Sequence, residues 1–192
     1  MEQWRCFVAI ELPEEVKTAL TRLQSKLKYA TTAPVKWVEP AGIHLTLQFL
    51  GDVDPDVTSL ITEAIARGAS GTASFALEVK DLGVFPGPNR VRVLWVGLTG
   101  ELDSLRRLQQ GIETNLKGLG FTPEERGFTP HLTLARVRDT ASAQERQALG
   151  GIVSNTKFQI DVGFRVAEVS LMRSQLSRTG AVYTRINSVK LQ

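Results

Sequence analysis

Only two histidines occur in the 192 residues, and each heads the same tetrapeptide: His44-Leu45-Thr46-Leu47 and His131-Leu132-Thr133-Leu134. Both copies fall in apolar runs with strand character. Successive side chains of a strand alternate between faces, so in each copy the histidine and threonine share one face and the two leucines the other. The leucines pack inward, and the polar pair lines the opposite surface. Two imidazoles and two hydroxyls converging on one ligand suit displacement at phosphorus with an alkoxide leaving group. That reaction needs a base for the nucleophile's proton and an acid for the departing oxygen. Imidazole, titrating at about 6.5, can be either near neutrality. Each positioned proton transfer is typically worth about 10²–10⁴-fold in rate. Threonine hydroxyls and imidazolium can also donate to the non-bridging oxygens where charge accumulates. The residues alone do not say which histidine is acid and which is base.

Competing chemistries have less behind them. A single histidine is most often a hydrogen-bonded structural residue. Two histidines scattered independently would rarely both land in identical tetrapeptides at matching places. Zinc sites ordinarily recruit three or four ligands; here a two-histidine site would need Asp52 or Asp139, and neither spacing is diagnostic. No metal and no cofactor is therefore expected, and no Walker or Rossmann glycine loop is present. Cys6, the sole cysteine, lies in an apolar run. It reads as a small core residue of a protein kept in a reducing compartment.

The elements that must carry the two motifs repeat. Residues 4–11 read as a buried strand, followed by a helix opened by Pro13 with Val16, Ala19, Leu20, Leu23 and Leu27 at helical spacing. Short strands are expected over 35–38 and 43–50, a helix after Asp54-Pro55-Asp56, and a strand over 75–79. The second half gives a strand over 91–98, a helix over 102–119, the second motif strand over 131–137, a helix over 139–152 and a strand over 158–162. Further strands over 165–172 and 181–186 flank a turn at 177–180. Each half thus runs strand, helix, motif strand, helix, strand. The fold class this implies is α+β, a bilobal pseudo-two-fold duplication. Each lobe would be an antiparallel sheet with two helices, and the active-site cleft would lie between them. Residues 1–192 form a single bilobal domain with approximate halves 1–85 and 86–192.

Composition sets wider bounds. An apolar fraction of 42% with 22% charged residues is that of a globular chain. No stretch approaches the roughly 20 apolar residues of a spanning helix, and the first residues lack a signal-peptide pattern. Cytoplasmic residence without membrane attachment is expected. A net charge of +3 is compatible with a polyanionic ligand but does not demand one.

The paired His-x-Thr-x motifs resemble those of the 2H phosphoesterase superfamily. Their flanks are similar to its bacterial and archaeal RNA 2′,3′-cyclic phosphodiesterases, historically called 2′-5′ RNA ligases. The matching stretches are residues 5–13, 36–40 leading into 44–51, 92–97 and 128–136, and the likeness runs along essentially the whole chain. It implies hydrolysis of a terminal 2′,3′-cyclic phosphate to a 2′-phosphate without metal or ATP. It further implies His44 as proton donor to the 3′-oxygen, His131 as proton acceptor activating water, and Thr46 and Thr133 holding the phosphate. The expected partners are RNA ends bearing the cyclic phosphate, or small cyclic nucleotides, acted on by a monomer.

Further candidates surround the motifs. Arg126 and Arg136 are candidate phosphate contacts through their bidentate forks, although strict alternation puts Arg136 off the His131–Thr133 face. Trp37 and Phe49 are candidate platforms for a nucleobase; regular alternation puts Phe49 on the leucine face, where core packing is the simpler role. Arg90, Arg92, Arg106 and Arg107 read as a solvated basic face. Two other functions fit the same residues: reversible, ATP-independent 2′-5′ ligation, and a non-catalytic module that binds RNA ends or nucleotides.

Overall fold

The computed structural model describes residues 2–123, 127–157, 160, 162–177 and 180–192. Nine strands and four α-helices make up its regular elements: β1 (Trp4–Glu11), α1 (Glu14–Ala30), β2 (Val35–Trp37), β3 (His44–Val53), α2 (Thr58–Ala69), β4 (Phe75–Phe85), β5 (Val93–Gly100), α3 (Leu102–Lys117), β6 (His131–Val137), α4 (Ala143–Asn155), β7 (Gly163–Val166), β8 (Glu168–Leu176) and β9 (Ala181–Lys190). The expectation of mixed, antiparallel α+β architecture holds. The strands form one antiparallel sheet in the order β7-β4-β5-β6-β3-β1-β8-β9, with β2 alongside β6.

The two motif strands, β3 and β6, are neighbours at the middle of that order. They share only the Leu45–Leu132 register pair among the described residues. On one side β3 is paired along its length by β1, and on the other β6 is paired by β5. The last strands cross over. β4, which belongs to residues 1–85, pairs with β5, while β8 pairs with β1. Each sheet half is therefore completed by a strand from the other end of the chain.

The helices bury the faces their periodicity marks out: Val16, Leu20, Leu23 and Leu27 from α1, Ile61 and Ile65 from α2, Leu105, Leu108, Ile112 and Leu116 from α3. With the inward residues of the strands, including all four motif leucines, they form one continuous core. Helices α2 and α3 cross at Gly68 and Gly111, where a Cβ on Gly68 would lie 2.6 Å from the Gly111 backbone. The opposite face of the sheet carries a smaller cluster of Phe7, Ala9, Met172 and Tyr183.

Several boundaries differ from those expected. Helix α4 starts at Ala143 rather than 139 because Ser142 and Glu145 form a reciprocal capping box. The strand expected over 75–79 continues to Phe85 past an irregularity at Asp81, whose φ is 65°. The strand expected over 158–162 includes residues 158, 159 and 161, and the turn over 177–180 includes 178 and 179. These positions lie outside the described residues.

Candidate active site

Regular alternation breaks at the same place in both motifs. Along β3, Thr46 pairs with Ala9 and Gln48 with Val8, so Leu47 is an extra residue. Along β6, Thr133 pairs with Trp95 and Ala135 with Leu94, so Leu134 is an extra residue. Such bulges reverse the facing of everything that follows. Leu47 and Gln48 are both buried, as are Leu134 and Ala135. The fifth residue after each histidine, Phe49 in β3 and Arg136 in β6, is consequently turned to the histidine face and exposed. The expectations that Phe49 packs in the core and that Arg136 lies off the catalytic face are both corrected by these bulges. The bulge in β6 is held from below. Leu134 O accepts from Gln24 Nε2 at 3.0 Å and from Val38 N at 2.9 Å. Gln24, itself buried in α1, donates also to Val38 O at 2.8 Å.

The two imidazoles are fixed in the same way. His44 Nδ1 lies 2.8 Å from Gly42 O, and His131 Nδ1 lies 2.8 Å from Thr129 O. A carbonyl oxygen only accepts, so Nδ1 must carry a hydrogen in each case. That leaves both Nε2 atoms as the reactive positions: a lone pair in the neutral ring, an acidic N–H in the charged one. Antiparallel pairing about Leu45–Leu132 sets Thr46 opposite His131 and His44 opposite Thr133. The histidines are then diagonal neighbours across the seam.

Aromatic rings back each histidine. Phe7 stacks on His44 at 4.6 Å between centroids, and Tyr183 meets both rings edge-on, at 5.0 Å from His44 and 5.3 Å from Phe7. Phe85 meets His131 edge-on at 5.2 Å with Trp95 behind at 6.5 Å. These rings come from β1, β9, β4 and β5, which is why the local sequence of the motifs gave no sign of them.

The surroundings of His44 pull its proton affinity in two directions. Burial holds its pKa below the ordinary 6.5; the hydrogen bond to Gly42 O and the charge of Glu11 act against that to a smaller degree. Glu11 is directly opposite His44 in the β1–β3 register. Its carboxylate accepts from Ser170 Oγ at 2.7 Å and pairs with Arg185 at 2.6 Å.

A cavity of about 730 Å³ opens on the histidine face, within the usual range for a small-ligand site. Its walls include Thr46, Phe49, Phe85, Arg92, His131 and Arg136, together with Gln109 and Glu113 of α3. Of the sequence candidates, the structure gathers His131, Thr46 and Phe49 here. It sets His44 and Thr133 across the seam by register. Trp37 is elsewhere: it packs against the main core with Lys28 Nζ 5.5 Å from its ring centroid. Arg126 lies outside the described residues. The basic face expected from Arg90 to Arg107 divides, since Arg92 lines the cavity while Arg106 pairs with Asp103 at 3.1 Å. Sequence inspection missed Phe7, Phe85, Tyr183 and Glu11.

Among the described residues no three His, Cys, Asp or Glu side chains gather as a metal site, so neither Asp52 nor Asp139 completes one with the histidines. Cys6 is buried, and burial pushes its thiol up to about 11, which keeps it protonated and unreactive at neutral pH. No helix among the described residues is long and apolar enough to cross a membrane.

Residues 12–178 match the model of the 2′-5′ RNA ligase superfamily. The chain is 35% identical over 188 residues to the RNA 2′,3′-cyclic phosphodiesterase of Methanothermobacter thermautotrophicus, covering 97% of this chain and 98% of that one. It is 36% identical over 172 residues to the protein of the same name from Aeropyrum pernix, covering 89% and 94%. The fold superposes on the crystal structure of a Thermus thermophilus protein with a TM-score of 0.78 at 28% identity, covering 97% of each chain. Against E. coli LigT complexed with 3′-AMP, the TM-score is 0.77 at 24% identity, covering 99% of each.

Proposed function

The chain belongs to the 2′-5′ RNA ligase superfamily, and from that premise we propose that it is an RNA 2′,3′-cyclic phosphodiesterase working by two-histidine acid/base catalysis. Water attacks phosphorus as His131 Nε2 takes its proton, the P–O3′ bond breaks, and His44 Nε2 protonates O3′. The products are a 2′-phosphate and a free 3′-hydroxyl. Thr46, Thr133 and Arg136 donate to the non-bridging oxygens, and Phe49 stacks on the terminal base.

The observation that carries this reading is the matched pair of Nδ1-to-carbonyl hydrogen bonds, which present two Nε2 atoms across one seam. Burial depresses the pKa of His44 below 6.5, which favours its neutral form at pH 7. As the acid it takes up its proton when the phosphodiester arrives, since that anion adds to Glu11 in favouring imidazolium. The mirrored sheet order and the two matched bulges support a bilobal duplication whose lobes meet at the β3–β6 seam. Acid and base come from one chain, so a monomer suffices, and residence in the cytoplasm is part of the same proposal.

The test is hydrolysis of an RNA oligonucleotide ending in a 2′,3′-cyclic phosphate, in EDTA and without ATP. His44→Ala and His131→Ala are run beside the wild type, each with an expected loss of about 10²–10⁴-fold or more. The product should be the 2′-phosphate. Joined RNA in place of hydrolysis would favour the ligation direction that the superfamily's description names. Tight binding with no turnover would favour a non-catalytic module.

A further inference from the structure

Beside the catalytic pair and Arg136, two further cations, Lys36 and Arg92, are not used by the chemistry at phosphorus. Lys36 of β2 is the direct register partner of Arg136. The two side chains stand on one face of adjoining strands, where β-carbons are about 4.5–5.5 Å apart. Trp37, the next residue, faces the helices under Lys28, which turns Lys36 the other way, and Lys36 is exposed. Arg92, whose carbonyl accepts from Val137 N just after Arg136, lines the same cavity. Among the described residues the salt bridges are Arg67–Glu63, Arg106–Asp103, Arg173–Glu2, Arg185–Glu11 and Arg185–Glu168. Lys36, Arg92 and Arg136 enter none of them.

Like charges set directly across a ladder repel one another, so the Lys36–Arg136 pair costs stability on its own. A row of polyanion phosphates removes that cost. The row also has a direction: it leads from His131 along β6 towards Lys36, away from the seam. A terminal nucleotide with its phosphate at the seam can place the preceding phosphodiester on this row.

Building on the cyclic phosphodiesterase reading, we propose that Lys36 and Arg92 form a backbone track that holds the phosphate 5′ to the reacting nucleotide, so that the enzyme selects oligoribonucleotide ends over mononucleotide cyclic phosphates. The contacts are to phosphate and carry no base information. Selection is by chain length, and the affinity it adds is sensitive to salt.

The experiment compares kcat/KM for a cyclic-phosphate-terminated oligonucleotide and for a 2′,3′-cyclic mononucleotide, in wild type and in Lys36→Gln/Arg92→Gln. The ratio of oligonucleotide to mononucleotide should fall by about fivefold or more in the double variant, as expected for two partly exposed charge contacts. The log–log salt dependence for the oligonucleotide should flatten by about 0.7, for the one single-strand phosphate that the two residues hold. Both side chains are exposed, and thermal unfolding should show the variant at least as stable as wild type. Anisotropy of a labelled oligonucleotide ending in a 2′-phosphate gives the same comparison without turnover. A wild type that hydrolyses neither substrate, but whose oligonucleotide Kd still depends on these two residues, would refute the proposed reaction and leave the track standing. An unchanged substrate ratio, salt slope and Kd in the double variant would overturn the track, whatever the reaction.

Discussion

Gly83 in β4 is the position where one added carbon should disturb both packing and chemistry. An alanine Cβ there would collide with Cζ2, Cη2 and Cε2 of the Trp95 indole, the last of them at 2.6 Å and the others closer. Ordinary contact begins at 3.4 Å, so the ring would have to retreat by about 1 Å. Gly83 is not among the positive-φ glycines, so the substitution adds no backbone strain and its effect is the collision alone. The indole has little room to move. Phe85 sits at 5.0 Å, and a Cβ on Gly97 would already meet the same ring at 3.3 Å. Overpacking of this kind costs about 1–3 kcal/mol, which for a chain of this size is a fall in Tm of about 2–12 °C. Because Phe85 and Trp95 flank His131, the displaced ring passes its motion to the imidazole. A misplacement near 1 Å can lower turnover by about 10²-fold. Thermal unfolding paired with single-turnover hydrolysis of a cyclic-phosphate oligonucleotide reads both effects. Trp95→Phe is the companion variant: it deletes the colliding part of the indole together with a buried Nε1–H that finds no acceptor among the described residues. In that background Gly83→Ala should cost far less, with a coupling energy of about 1–2 kcal/mol. A Gly83→Ala protein as stable and active as wild type, or strictly additive with Trp95→Phe, would refute the packing argument.

Three other perturbations test separate parts of the site. Gln24→Leu should cost about 1–3 kcal/mol by leaving the Val38 carbonyl without its buried donor, and should lower kcat through the β6 bulge; unchanged urea unfolding would show that Gln24 does not hold it. The His44 Hε1 resonance should titrate below 6.5 in the free protein because burial disfavours its charged form, and inorganic phosphate should raise the midpoint; a free-protein midpoint at or above 6.5 would contradict that cause. The same depression means the unfolded chain binds this proton more readily than the native one, so its contribution to stability is whole above 6.5 and is lost as pH falls from there through the folded value. His44→Asn should remove that segment of the stability profile. Phe49 is 52% exposed, so Phe49→Ala should leave stability within about 0.5 kcal/mol while losing about 1–3 kcal/mol of base stacking, seen as a raised KM that Phe49→Tyr restores. An unchanged KM would remove Phe49 from the substrate site.

Much of the site was legible in residue order because it depends on local periodicity. Identical tetrapeptides with alternating polar and apolar residues require that His44 and Thr46 share a face and that Leu45 and Leu47 enter the core, and the same holds for His131 to Leu134. Strand and helix periods likewise marked out the α+β architecture and most of the buried positions. What periodicity could not foresee was the extra residue at Leu47 and at Leu134. A bulge is a property of the pairing with β1 and β5 and of donors such as Gln24, which lies 110 residues from the carbonyl it satisfies. Those two bulges turned Phe49 and Arg136 onto the histidine face. Trp37 beside the motif strand faces the helices instead, because its burial is set by α1. The rings that hold the histidines, Phe7, Phe85, Trp95 and Tyr183, come from strands that meet only after each half of the chain has lent its last strand to the other. The sequence by itself determined which residues can transfer protons and which way they face their own strand. Carbonyls only two residues upstream hold each Nδ1 and leave Nε2 free, whereas the tertiary pairing decided what encloses the rings and which cations stand beside them, because those are contacts between segments far apart in the chain.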